Sequence, residues 1–292
     1  MELTAFAAWL NTAFAGYDSA ILRLMHGMAE ALGGVLTPLM KIITLLGEKG
    51  LLLILIGLAL MLFSRTRRVG VCMFGAIACG ALITNIILKD WVARPRPFET
   101  LTVYRQWWTF IGSPAEDGFS FPSGHVTAAA AGMTALCLTR GRKWIIPSVI
   151  WVLLMGISRN YLMAHFPSDV LFAVLIGLLS AFIAYAITLL IFRLLEEHED
   201  KAICAAILDF DLPLPHLRGG DEDEDEEEDD EEDDEDDAYI PVDRIDVSAT
   251  FDEVVRDREA EKASHAAHEA QEEVVLSRFK RADSGYKGKH SK

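Results

Sequence analysis

The sequence predicts an all-α protein: an integral-membrane helical bundle of five to six spans, followed by a disordered acidic cytoplasmic tail. Three observations predict it. Of 292 residues, 51% are hydrophobic, gathered into long uncharged runs. The formal charge of −16 is concentrated, because residues 221–237 form an unbroken acidic run of 17 and the remainder is close to neutral. Inside the apolar part, polar residues fall into three short clusters where runs begin or end. A near-neutral greasy body with one charged appendage is the composition of a membrane protein with a tail.

The uncharged intervals locate the spans. They are residues 50–64 (15), 69–88 (20), 126–139 (14), 144–158 (15) and 170–192 (23). A helix needs about 20 residues to cross ~30 Å of hydrocarbon at 1.5 Å per residue. The second and fifth intervals reach that length outright. The other three reach it only with snorkelling flanks, or by drawing in the polar clusters themselves. Arg65, Arg67 and Arg68 form one compact basic connector, and Arg140, Arg142 and Lys143 form another. Both are expected on the cytoplasmic side. Alternation then carries all three polar clusters to the opposite, extracytoplasmic face.

Residues 1–48 are less apolar, with Arg23, His26, Glu30, Lys41 and Glu48 spread among them and Gly33, Gly34 and Pro38 interrupting. They are read as amphipathic interfacial helices on the outer face, with a sixth crossing as the alternative. Residues 49–195 are the transmembrane domain, and 196–292 the cytoplasmic tail. The acidic run repels itself and cannot bury a core, which is the basis for expecting disorder. Beyond it, Thr250 with Glu253 matches a capping box and the composition allows a helix over 248–280. The tail is also suited to dock a basic cytoplasmic partner. No cleavable leader is expected, since the N-terminus is acidic at Glu2.

The third cluster, Ser158-Arg159 followed by His165 and Asp169, is the most specific. His165 and Asp169 are one helical turn apart, so the carboxylate can hold the imidazole in one tautomer. Pro167 between them suits a helix start. In the second cluster, Pro122-Ser123-Gly124-His125, serine can cap the alanine-rich helix that follows. Glycine there allows close backbone approach of an anion to the freed N–H groups. His125 would stand at the edge of that anion, placed to protonate a leaving oxygen. In the first cluster, Lys89 closes a span and Arg96 follows seven residues later. The prolines of Arg94-Pro95-Arg96-Pro97 restrict where the guanidiniums can go, and a fixed guanidinium suits phosphoryl oxygens. Two histidines, three cations and one carboxylate are an inventory for phosphate-ester chemistry with no metal and no cofactor.

Other residues say less. Cys72, Cys79, Cys137 and Cys204 lack metal-ligand spacing and read as small buried hydrophobes. Trp107, Trp108, Phe119 and Phe121 suit an aromatic belt, or a wall for a lipid tail. Head-group choice is assigned to the loop over residues 98–121.

Together the clusters resemble the motifs K-x6-RP, PSGH and SR-x5-H-x3-D of the type 2 phosphatidic acid phosphatase family (PAP2), matched at Lys89/Arg96/Pro97, Pro122–His125 and Ser158/Arg159/His165/Asp169. The resemblance covers roughly residues 50–190 and says nothing about the tail. It implies that His165 is the nucleophile that becomes phosphohistidine and that Asp169 orients it. His125 would be the general acid and then help activate water. Lys89, Arg96, Arg159, Ser123 and the Gly124 backbone would bind the phosphoryl oxygens. The implied activity is hydrolysis of a lipid phosphate at the outer face of the cell membrane, with undecaprenyl diphosphate the leading substrate. Phosphatidic acid and phosphatidylglycerophosphate are the alternatives. The partners are then a lipid phosphate and membrane lipids, with no nucleic acid. Vanadate-dependent haloperoxidases share such a phosphate pocket but are soluble, which the long spans oppose. A non-enzymatic reading makes the body an anchor that presents the acidic tail.

Overall fold

The structure, a computed structural model, describes residues 3–212, and every regular element among them is helical. The acidic run and the expected helix over 248–280 lie outside the described residues. In chain order the helices are α1 (Ala5–Ala13), α2 (Ala15–Leu46), α3 (Leu51–Met61), α4 (Arg67–Ala81), α5 (Lys89–Val92), α6 (Pro97–Thr100), α7 (Thr102–Phe110), α8 (Gly124–Arg140), α9 (Ile145–Tyr161), α10 (Pro167–Glu196) and α11 (Ala202–Asp209). Each of the five uncharged intervals is helical. Three stretches are long and apolar enough to cross a membrane: Ala15–Met61, Arg67–Thr100 and Pro167–Glu196. The protein is a membrane protein on that ground. At 17 residues each, α8 and α9 are about 26 Å long.

The core is a close three-helix contact of α4, α8 and α10, with α3 against α4, and α9 against both α8 and α2. Small residues make the approach. A Cβ on Gly177 of α10 would stand 2.5 Å from Ala130 Cβ and 2.9 Å from the Ala131 nitrogen of α8. One on Gly70 of α4 would meet the Gly57 carbonyl of α3 at 2.4 Å. Between apolar helices in lipid, such close backbone approach supplies the dispersion contact that the hydrophobic effect does not. The alanine run of α8 is thereby explained: residues 126–132 are all buried.

One end of this bundle carries the polar clusters and the other the basic connectors. At the far end Arg140 donates to the Arg65 carbonyl. Arg67 is buried there, its Nη1 bonded to the carbonyls of Ile207 and Leu208 in α11. The chain of α2 is kinked at Leu32, where φ is −133°. Asp18 accepts from Ser168, Thr37 bonds Tyr161, and Thr44 donates to Ser158. All three partners belong to the polar end of α9 and α10.

Candidate active site

Each polar cluster is delivered to this end by an identifiable local device. Helix α4 passes through a π-helical stretch, Leu82–Leu88, before Lys89 opens α5. π-Helical turns commonly mark functional positions, and here the extra residue per turn resets the face on which Lys89 emerges. The Thr84 hydroxyl takes up the Gly80 carbonyl at 2.8 Å. Ala93 then adopts a left-handed conformation (φ 49°, ψ 40°) that ends α5 and turns the chain into Arg94, a backbone cost of about 1 kcal/mol or more for a non-glycine residue. Arg96 caps α6, and its N–H is held by Glu99 at 2.8 Å.

Ser123 occupies the N-cap position of α8, but its side chain makes no capping bond. The expected cap is therefore not formed. The Ser123 Oγ is buried with no partner among the described residues. Arg159 lies in the last turn of α9 and is fully buried. Its Nη2 pairs with Glu116, whereas Nε and Nη1 have no acceptor among the described residues. Three buried donors without acceptors represent a large desolvation cost unless an oxyanion satisfies them. Their chemistry fits a phosphoryl group.

His165 sits in the loop between α9 and α10, after the left-handed Met163, and is 2% exposed. Its Nδ1 lies 2.6 Å from the Ser120 carbonyl. A carbonyl only accepts, so Nδ1 carries the proton and Nε2 keeps the lone pair. The Asp169 carboxylate is 4.0 Å from Nδ1, beyond a hydrogen bond. Asp169 instead accepts from the Ser120 hydroxyl, from the Phe166 N–H at 2.9 Å and from Arg94. The carboxylate thus reaches the imidazole through Ser120, a link absent from the sequence reading. Burial, and the positive charges of Arg159 and Arg96, hold the His165 pKa well below the usual imidazole range. The ring is accordingly neutral.

The structure brings the predicted residues together. Lys89, Arg96 and Arg159 are close enough to interact electrostatically, and His125 and His165 feel the same arginines and each other. Gly124 opens α8 beside His125. Arg96 is fixed by carbonyls, with Nη1 on Ala164 at 2.9 Å, Nε on Gly118 at 2.9 Å and Nη2 on Asp117 at 2.6 Å.

Several residues at the site were not singled out as site residues. Arg94 is wholly buried, bonded to Asp18, Ser168, Asp169 and Asn11, with its guanidinium 4.0 Å over the Phe166 ring. Its place in Arg94-Pro95-Arg96-Pro97 was the available signal. Asp18, Ser120 and Glu116 gave none, since a single polar residue in a helix or loop has no distinguishing spacing. Trp107 stacks on His26 and Trp108 on Phe98, each at 17°, so both tryptophans brace α7 against neighbouring helices. Among the described residues no group of three or more His, Cys, Asp or Glu is placed to share a metal ion.

The chain is similar to known proteins. A model of the PAP2 superfamily matches residues 69–193. Undecaprenyl-diphosphatase BcrC of Bacillus subtilis (strain 168) is 34% identical over 166 residues, covering 56% of this chain and 81% of that protein. Phosphatidylglycerophosphatase B of the same organism is 36% identical over 161 residues, 51% of this chain and 73% of that protein. The crystal structure of a transmembrane PAP2 type phosphatidylglycerolphosphate phosphatase from Bacillus subtilis aligns with a TM-score of 0.49 and 28% identity, over 62% of this chain and 90% of that one. The chain belongs to the PAP2 lipid phosphatase family.

Proposed function

We propose that this protein hydrolyses the terminal phosphate of a membrane lipid through a phosphohistidine on His165, without a metal. The observation that carries the reading is the set of buried, unsatisfied donors of Ser123 and Arg159 beside a neutral histidine whose lone pair is on Nε2. In the first step Nε2 attacks phosphorus and the bond to the leaving oxygen breaks. His125, protonated once the bound phosphate's negative charge offsets Lys89, Arg96 and Arg159, gives that oxygen its proton. In the second, water attacks the same phosphorus, the P–N bond breaks, and His125 takes a proton from the water. Lys89, Arg96 and Arg159 hold the phosphoryl oxygens, with Ser123 and the Gly124 N–H. Phosphoryl transfer demands mainly positioning and charge stabilisation, which these groups supply. Asp169 and Ser120 keep His165 in its tautomer.

Undecaprenyl diphosphate is the substrate favoured by the likeness to BcrC, and phosphatidylglycerophosphate by the likeness to phosphatidylglycerophosphatase B. Phosphatidic acid is the third substrate to test. The proposed topology has five crossings, formed by α3, α4, α8, α9 and α10, in the plasma membrane. Residues 1–48 lie on the outer face, 49–195 form the catalytic domain, and 196–292 a cytoplasmic tail open to a basic partner. Two features support this. The bonds from Asp18, Thr37 and Thr44 all reach the polar ends of other helices. The basic connectors meet at the opposite end, as cytoplasmic loops do.

The test is phosphate release by the purified protein in detergent with EDTA, across the three lipids, with His165→Ala as control. Turnover of one lipid that disappears in the variant supports the mechanism and names the substrate. Release that EDTA abolishes, or that the variant retains, removes it.

A further inference from the structure

Glu116, in the loop between α7 and α8, holds two of the side chains assigned to the proposed substrate phosphate. Its Oε2 is 3.1 Å from Arg96 Nη1 and its Oε1 accepts from Arg159 Nη2. These are two of the three cations assigned above to the phosphoryl oxygens. A carboxylate presents two oxygens to guanidinium forks much as a phosphoryl group does.

The arginines need such a partner whenever the phosphate is away, because an uncompensated buried cation is costly. The neighbouring buried ion pair shows how a permanent partner differs. Asp169 and Asp18, which hold Arg94, are each fixed by further bonds, to Ser120, Phe166 and Ser168. Among the described residues, every hydrogen-bond or ion-pair partner of the Glu116 carboxylate is one of the two phosphate-clamping arginines. The side chain is also 12% exposed, against 0% for Asp169. Left-handed backbone at Gly112, Ser113 and Gly118 brackets its loop.

We propose that Glu116 is a displaceable occupant of the phosphate site. It neutralises the Arg96–Arg159 pair between turnovers and yields to the substrate's terminal phosphate. It then returns to the arginines as inorganic phosphate leaves. The inference rests on the reading that these arginines bind phosphate. A tethered carboxylate taxes every competing oxyanion by the same factor, the inverse of the fraction of molecules in which it is displaced. It raises KM without raising kcat.

The test uses the full chain in detergent. Binding of orthovanadate and inorganic phosphate is measured by titration calorimetry in wild type, Glu116→Gln and Glu116→Ala, and KM and kcat are measured for the lipid the wild type hydrolyses. Both variants are expected to bind either anion about tenfold more tightly, with KM lowered and kcat not increased. A counter-ion that merely fixes the arginines predicts the reverse, weaker binding and a higher KM. Unchanged or weaker binding in both variants overturns the proposal, as does failure of wild type and variants alike to bind either anion. Anion binding tightened in the variants, with no lipid turned over by wild type, overturns the lipid phosphatase reading while keeping the exchange.

Discussion

Arg94 has no solvent exposure and holds two carboxylates at once, Asp18 and Asp169. Removing one member of a buried ion network leaves uncompensated charge and costs about 3–5 kcal/mol. Arg94→Met is therefore expected to lower the melting temperature in detergent substantially, and Asp18→Asn added to it should recover part of the loss. Equal melting of Arg94→Met and wild type would show that the network contributes nothing to stability. His165 makes a second prediction. Its folded-state pKa is lowered, so below the ordinary value of about 6.5 the unfolded chain binds a proton that the folded one does not. Stability contributed by this residue is full above that value and falls as pH drops, by up to about 1.4 kcal/mol per pH unit. Arg96, Arg159, His125 and Asp169 surround the ring and are present in both proteins compared. Melting of wild type from pH 7 to 5 should thus fall more steeply than that of His165→Gln; parallel curves would contradict the buried neutral ring.

At the scale of elements, the bundle depends on which glycines face backbone. A Cβ on Gly177 would stand 2.9 Å from α8 backbone, whereas one on Gly75 would find only Ala184 Cβ, at 3.5 Å. Gly177→Ala must part α8 from α10, at about 1–3 kcal/mol, and α8 carries His125 into the site. Loss of melting temperature and of turnover is expected there, while Gly75→Ala should behave as wild type. These helices were legible in the sequence as uncharged runs, because a membrane span needs length and apolarity and both are written locally. The π-helical stretch before Lys89 was not, since no periodicity in Leu82–Leu88 separates a π turn from an α turn. The unformed cap at Ser123 was missed for a related reason: serine before a helix is the ordinary cap, and only the site around it shows the hydroxyl unspent.

For the molecule as a whole, α11 closes the end opposite the site. Arg67 relies on the Ile207 and Leu208 carbonyls, and Ser64 and Leu62 bond Asp211 and Leu212. A truncation after Leu212 is expected to keep turnover in detergent and wild-type melting. One after Asp200 removes the partners of a buried guanidinium and should lower the melting temperature by the equivalent of about 1–3 kcal/mol. Equal melting of the two truncations would show that α11 adds nothing to the bundle.

The sequence by itself determined the helical class and the positions of the apolar helices, and it named the candidate residues that the structure gathers at one end. Those depend on local hydrophobicity and on motif spacing, which a linear chain displays. Only the tertiary structure decided that Asp169 reaches His165 through Ser120, that Arg94 joins α1, α2 and α10, and that Glu116 sits on Arg96 and Arg159. These are pairings between residues 20 to 83 positions apart. No local period encodes them, because a buried charge is satisfied by whichever partner the packing of other helices brings within reach.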